Sequence, residues 1–176
     1  MYALNQLRTD MVKRPILATM EKILQPIRAQ NGNLLVTGYT HPAYKQMLST
    51  ILKEHNASPT SLLVRGLEGS AQLPIDRQAP ILTITKNKIQ DEFVRPEDYR
   101  VPEIGFSKDD NHFTEQRCMD EGLLALQNKS GPIRNLIAYN AAVILSKFSI
   151  MDKRSTIPAI QENLKNMRAL EAFENG

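Results

Sequence analysis

Two short stretches concentrate side chains that could do chemistry. One is "TGYTHP" (37–42), with Thr37, Tyr39, Thr40 and His41; the other is "RGLEGSAQ" (65–72), with Arg65, Glu68, Ser70 and Gln72. An imidazole titrating near neutrality suits general acid–base work, but only beside a partner, and the spacing around His41 names none. At a helix start the same ring can simply pack or bond to the backbone. Arg65 carries a planar fork that fits phosphate or carboxylate two bonds at a time. Its bland reading is a structural ion pair with Glu68 or with a neighbouring loop. A metal centre finds no support: His41, His55 and His112 are far apart in sequence without a carboxylate at ligand spacing, and Cys118 is the sole thiol. No P-loop, dinucleotide fingerprint or G-x-S-x-G elbow occurs.

The surrounding pattern says what must position these residues. "LLVTGYT" (34–40) reads as a buried strand, and "HPAYKQMLSTILKEHNA" as a helix capped by Thr40, with Tyr44, Met47, Leu48, Ile51 and Leu52 toward the core. "SLLVRG" is a second strand, so strand, helix and strand form a βαβ unit with a parallel pair and a right-handed crossover. Both candidate stretches then fall at carboxyl ends of parallel strands, where open α/β sheets gather ligands. "APILTITKNKIQDEFVRP" supplies a hairpin turning at "KNK", and "PEDYRVPEIGFSKDDN" an irregular surface connection. Helical patterns follow in "TEQRCMDEGLLALQN", with Thr114 as N-cap, and in "GPIRNLIAYNAAVILSKF", with Pro132 in its first turn. A last one, "TIPAIQENLKNMRALEAF", carries the stripe Ile157, Ile160, Leu164, Met167 and Leu170. Near the start, "PILATMEKILQPI" (15–27) has the spacing of an amphipathic helix. The expected architecture is an α/β fold, a small mostly parallel sheet with a βαβ unit and a β-hairpin covered by helices. A leading helical region spans 1–30 and the α/β domain 31–176.

The chain of 176 residues is 41% hydrophobic and 23% charged, which suits a globular domain that needs no disulfide or metal staple. No run approaches the ~20 apolar residues of a membrane span, and "MYALNQLRTDMVKRP" is charged and broken by proline, so a cytoplasmic location without a membrane partner is expected. The net charge of +3 is unevenly placed. Residues 1–60 hold seven Lys and Arg against three Asp and Glu, whereas 61–176 hold fifteen against sixteen. A basic face of Arg14, Arg28, Lys45, Lys53 and Arg65 could attract single-stranded nucleic acid or a phosphorylated ligand; the alternative is an ordinary solvated surface. The ten Phe and Tyr residues are not interleaved with these cations, which argues against a base-stacking platform.

Several blocks in order, "LLVTGYTHPAYKQMLSTILKEHNASPTSLLVRGLEG", "VRPEDY" and "GLLALQNKSGPIRNLIAYNAAVIL", resemble the C-terminal α/β domain of anthranilate phosphoribosyltransferases, in the superfamily that includes pyrimidine-nucleoside phosphorylases. The likeness covers roughly residues 12–150, and "RPILATMEKILQP" resembles the preceding segment, with Arg14 and Pro26 in matching places. The forms "THP" and "RGLEG" are most similar to a divergent, transferase-like branch reported to bind nucleic acid. In active members the resemblance implies an Asp-Glu pair after the second strand that holds Mg²⁺ against a diphosphate. The matching positions here are Ala71 and Gln72, neither of them a carboxylate, and Glu68 stands three residues early. The family's Gly-rich phosphate loop and Lys-His-Gly motif belong to a region upstream of what this sequence matches. The resemblance therefore implies a phosphoribosyltransferase-like C-terminal portion that is inactive by itself. No cofactor is expected in this chain, Mg²⁺ belonging to active relatives, and no catalytic residue is assigned. Arg65, Glu68, His41 and Arg14 are the substrate or anion candidates. Two alternatives remain open: sequence-independent nucleic-acid binding, and self-association through exposed apolar surface into a homo-oligomer.

Overall fold

A computed structural model describes residues 23–24, 33–55, 58–101 and 115–175. Most of the leading region, with Arg14 and Arg28, lies outside the described residues, as do Thr114 and the span 102–114. Strands β1 (Leu34–Gly38), β2 (Thr60–Val64), β3 (Ala79–Thr85) and β4 (Ile89–Val94) lie side by side in chain order. Helix α1 (Pro42–His55) joins β1 to β2, which pair in parallel with Leu34 opposite Thr60 and Gly38 opposite Val64. β3 adds antiparallel to β2, and β4 antiparallel to β3. The α/β class, the βαβ unit, the hairpin and the covering helices all stand. Counted by pairings the sheet is mixed, because the hairpin brings two antiparallel contacts to one parallel pair. The hairpin closes where Thr85 N–H donates to the Lys88 carbonyl at 2.9 Å and Lys88 N–H to Thr85 Oγ1 at 3.1 Å.

Alternation along the strands divides two cores between the faces of the sheet. Leu62, Val64, Ile81 and Val94 pack with Leu136, Tyr139, Ala142 and Val143 of helix α3 (Pro132–Lys147). The intervening residues Leu63, Leu82 and Ile84 pack with Tyr39, Leu48 and Leu52 on the α1 side. Of the expected α1 stripe, Leu48 and Leu52 are buried and Met47 and Ile51 half-buried, but Tyr44 is 44% exposed. It stands on the first turn, beside the strand ends instead of over the strands. Helix α2 (Glu115–Leu126) precedes α3 and packs on it.

Two stretches differ from expectation. Residues 96–99 are not a plain surface connection: Pro96–Tyr99 forms a 3-10 turn that sinks Tyr99 into the α3 face. The Tyr99 ring meets Tyr139 edge to face at 5.7 Å, its hydroxyl bonds Ser146 Oγ at 2.7 Å, and Lys153 Nζ lies 4.7 Å from its centre. The last helical pattern is two helices, α4 (Lys153–Lys165) and α5 (Arg168–Asn175). The first begins earlier than the pattern suggested because Asp152 caps it, Oδ1 accepting from Arg154 N–H at 3.0 Å and Ser155 N–H at 3.2 Å. It ends where Met167 takes a left-handed φ of 59°, which turns the chain and leaves Met167 exposed. Among the described residues no helix is long and apolar enough to cross a membrane.

Candidate functional site

The parallel pairing brings the two candidate stretches together at one end of the sheet. Tyr39 N–H donates to the Val64 carbonyl at 3.0 Å, carrying the ladder one step past β1, and the chain leaving β2 then folds back over that end. The loop holds itself by four bonds. Leu67 N–H donates to the Gln72 carbonyl at 2.8 Å, Gly69 N–H to Gly66 at 3.3 Å, Ser70 N–H to Leu67 at 2.8 Å, and Gln72 N–H to Ser70 Oγ at 3.1 Å. Two glycines set the fit. A Cβ on Gly38 would overlap the Ser70 carbonyl, and Gly69, at φ 77°, lies against the Thr40 methyl with no room for a side chain. The apparent crevice between the strand ends is thus filled by backbone.

A residue that sequence reasoning passed over closes the structure. Asn140, on α3, accepts from Leu73 N–H at 2.7 Å and donates through Nδ2 to the Leu73 carbonyl at 3.2 Å and to its own-helix Leu136 carbonyl at 2.9 Å. One amide therefore satisfies both polar backbone groups of a buried residue. The available signal was an Asn on an otherwise apolar helical face.

No hydrogen bond or ion pair joins the side chains of His41, Arg65 and Glu68 to one another. His41 is exposed, and it takes the cap role expected of Thr40: Nδ1 accepts from Ala43 N–H at 3.2 Å and its carbonyl from Tyr44 N–H at 2.9 Å. Pro42 occupies the first helical position, which makes the residue before it the cap. The His41 ring thus caps the helix through Nδ1. Arg65 and Glu68 are exposed and form no ion pair with each other. Glu68 sits in the left-handed region at φ 51°, ψ 26°. Lys45 crosses to β4 and pairs with Asp91, while Lys53 is exposed further along α1. Of the five cations proposed as one basic face, the described residues thus show one tied to a carboxylate and two exposed. Tyr39 is buried, and that burial lifts its phenol above the ordinary tyrosine range, so it stays protonated at neutral pH.

A magnesium ion does not fit the loop. Ala71 is half-buried, Gln72 is exposed, and neither supplies an anionic oxygen. Among the described residues no group of three or more His, Cys, Asp or Glu is placed to hold a metal.

No protein-family model and no curated protein matches this chain. Solved structures do. Anthranilate phosphoribosyltransferase from Saccharomyces cerevisiae, in complex with 4-fluoroanthranilate, superposes with a TM-score of 0.76 at 14% identity, over 97% of this chain and 49% of that one. A variant of that enzyme with Mg bound gives 0.74 at 14%, and the enzyme itself 0.74 at 12%, each with the same two coverages. The chain has the fold of anthranilate phosphoribosyltransferase. It spans about half the length of those proteins. At this identity the phosphoribosyltransferase fold is what is shared, and the bound anthranilate analogue and magnesium are properties of the yeast enzyme.

Proposed function

We propose that this chain is a phosphoribosyltransferase-like C-terminal domain whose own loop after β2 has lost the metal site, so that it does not by itself transfer phosphoribosyl groups to anthranilate. The observation that carries this is the composition of the loop: Ala71 and Gln72 stand where the resemblance implies paired carboxylates, and Glu68 is exposed on a left-handed turn three residues earlier. A hard divalent cation needs oxygen anions, and neither Ala71 nor Gln72 supplies one. The test is a turnover assay of the purified chain with phosphoribosyl pyrophosphate and anthranilate, with and without Mg²⁺, alongside Mg²⁺ titration of the Ala71→Asp/Gln72→Glu double variant. No turnover is expected, with magnesium binding gained only in the variant. Mg²⁺-dependent turnover by the unaltered chain would overturn the reading.

A second reading is sequence-independent binding of single-stranded nucleic acid, as in the divergent branch that "THP" and "RGLEG" resemble. Support comes from the exposed Lys53 and Arg65, and the Lys45–Asp91 pair weakens it. Affinity for an oligonucleotide should then fall steeply with salt and vary little with sequence; no binding at low salt sinks it.

A further inference from the structure

Where β2 ends and the chain returns to begin β3, a shallow cavity of about 290 Å³ opens. Arg65, Arg77 and Gln78 line it, together with Pro74, Ala79 and Pro80. Arg65 is fixed at its edge by its own N–H, which donates to the Pro80 carbonyl at 3.1 Å, while its guanidinium has no hydrogen-bond or ion-pair partner among the described residues. Arg77 Nη1 pairs with Asp76 Oδ2 at 3.0 Å, and both side chains are more than half exposed (62% and 58%), an attachment that an incoming anion can displace. Behind Gln78 stands a third guanidinium. Arg95 Nε donates to Gln78 Oε1 at 3.2 Å, so the acceptor end of that amide is occupied and its N–H end remains to donate.

We propose that this cavity is a metal-independent binding site for a phosphate dianion, borne on a small monoester or free. The two arginines of the lining, Arg65 and Arg77, match a dianion better than a monocarboxylate once Arg77 is released from Asp76. Two guanidinium forks and an amide N–H suit a tetrahedral group with several acceptor oxygens. The volume is that of about ten waters at ~30 Å³ each, enough for phosphate and a small organic group. Glu68, Ala71 and Gln72 are not in the lining, so the site stands or falls apart from the lost metal site.

Titrating the full chain with inorganic phosphate and with phenyl phosphate, at low salt in EDTA and followed by amide NMR shifts, tests it. Saturable shifts centred on residues 65, 66 and 77–80 are expected, with benzoate binding more weakly; the tighter of the two phosphates identifies the source. Arg65→Gln and Arg77→Gln should each weaken binding about tenfold, the loss expected of one charge-assisted contact, and Arg65→Lys should fall between. Lys53→Gln, a cation outside the cavity, should leave affinity unchanged. Thermal melts of each variant check folding, and the exposed Arg77 keeps the test alive if an Arg65 variant does not fold. Absence of saturable shifts, benzoate binding as tight as phenyl phosphate, or an equal loss in Lys53→Gln would each overturn the proposal.

Discussion

Residues 66–73 and 74–80 are consecutive, yet they are held in opposite ways. The first run is fastened by backbone: four internal bonds, two close approaches to Gly38 and Thr40, and an amide clasp from Asn140. Its side chains that could do chemistry either point to solvent, as Glu68 and Gln72 do, or have no polar group, as Ala71. The second run makes its character with side chains: Arg77 and Gln78 line a cavity with Arg65, and Arg95 bonds Gln78. The difference teaches that position at a strand end does not confer chemistry. The most densely hydrogen-bonded loop at this end of the sheet is scaffold, and the charged rim beside it is where recognition can occur.

The contrast breaks most severely at Gly38. Replacing Gly38 with Ala puts a methyl group into the Ser70 carbonyl, a backbone atom that cannot swing aside, so the whole loop must lift. A loss of about 3 kcal/mol or more is expected in denaturant unfolding, at the upper end for overpacking. A variant as stable as the parent would show that the loop is not seated on β1. Asn140→Ala comes next. It leaves the buried Leu73 N–H and carbonyl without their partner, which should cost about 2–3 kcal/mol and raise amide exchange at residues 67–73. Exchange unchanged there would mean that the clasp is incidental. Neither change touches the walls of the Arg65–Arg77 cavity.

Much of the scaffold was legible, since short apolar runs ending at glycines and a proline-led helix define β1, α1 and β2 in the order observed. What sequence could not show were contacts between backbones far apart in the chain. Gly38 and Gly69 read as turn punctuation until the fold lays one loop on another, and Asn140 reads as a lone polar residue on an apolar helical face until α3 meets Leu73. Tyr99 misled for the same reason, because a short polar run hid an aromatic whose burial depends on α3, some forty residues away. Arg65 was found by residue type, but Arg77 comes from the loop before β3 and Arg95 from the end of β4, and no local spacing joins them.

The fastening of the α3 face itself has one loose point. Tyr139 and Tyr99 touch edge to face, yet the Tyr99 hydroxyl bonds Ser146 while the fully buried Tyr139 hydroxyl has no partner among the described residues. At neutral pH Tyr99→Phe should therefore cost about 1 kcal/mol, and Tyr139→Phe should be neutral or stabilise by up to about 1 kcal/mol. Burial, reinforced by Tyr99 and the nearby acids, raises the Tyr139 phenol well above its ordinary value. A raised phenol favours the folded state's neutral form, so stability is intact below the unfolded value of ~10 and declines as pH rises above it. Tyr139→Phe should flatten part of that alkaline decline in a series of pH-dependent melts. An unchanged alkaline limb would place the titration elsewhere.

Smallest of all should be the effect of Glu68, where the fastened run meets solvent. A non-glycine residue in the left-handed region carries about 1–2 kcal/mol of strain, and glycine relieves it while losing roughly 0.5–1 kcal/mol in chain entropy. The two nearly cancel, so Glu68→Gly should gain less than about 1 kcal/mol, read as a small rise in the denaturation midpoint without a change in slope. Phosphate binding at the Arg65–Arg77 cavity should be unmoved, because Glu68 does not line it. A clear loss of stability would instead mean that the carboxylate holds the turn, and the division between a backbone-fastened loop and a side-chain rim would then fail within the fastened run itself.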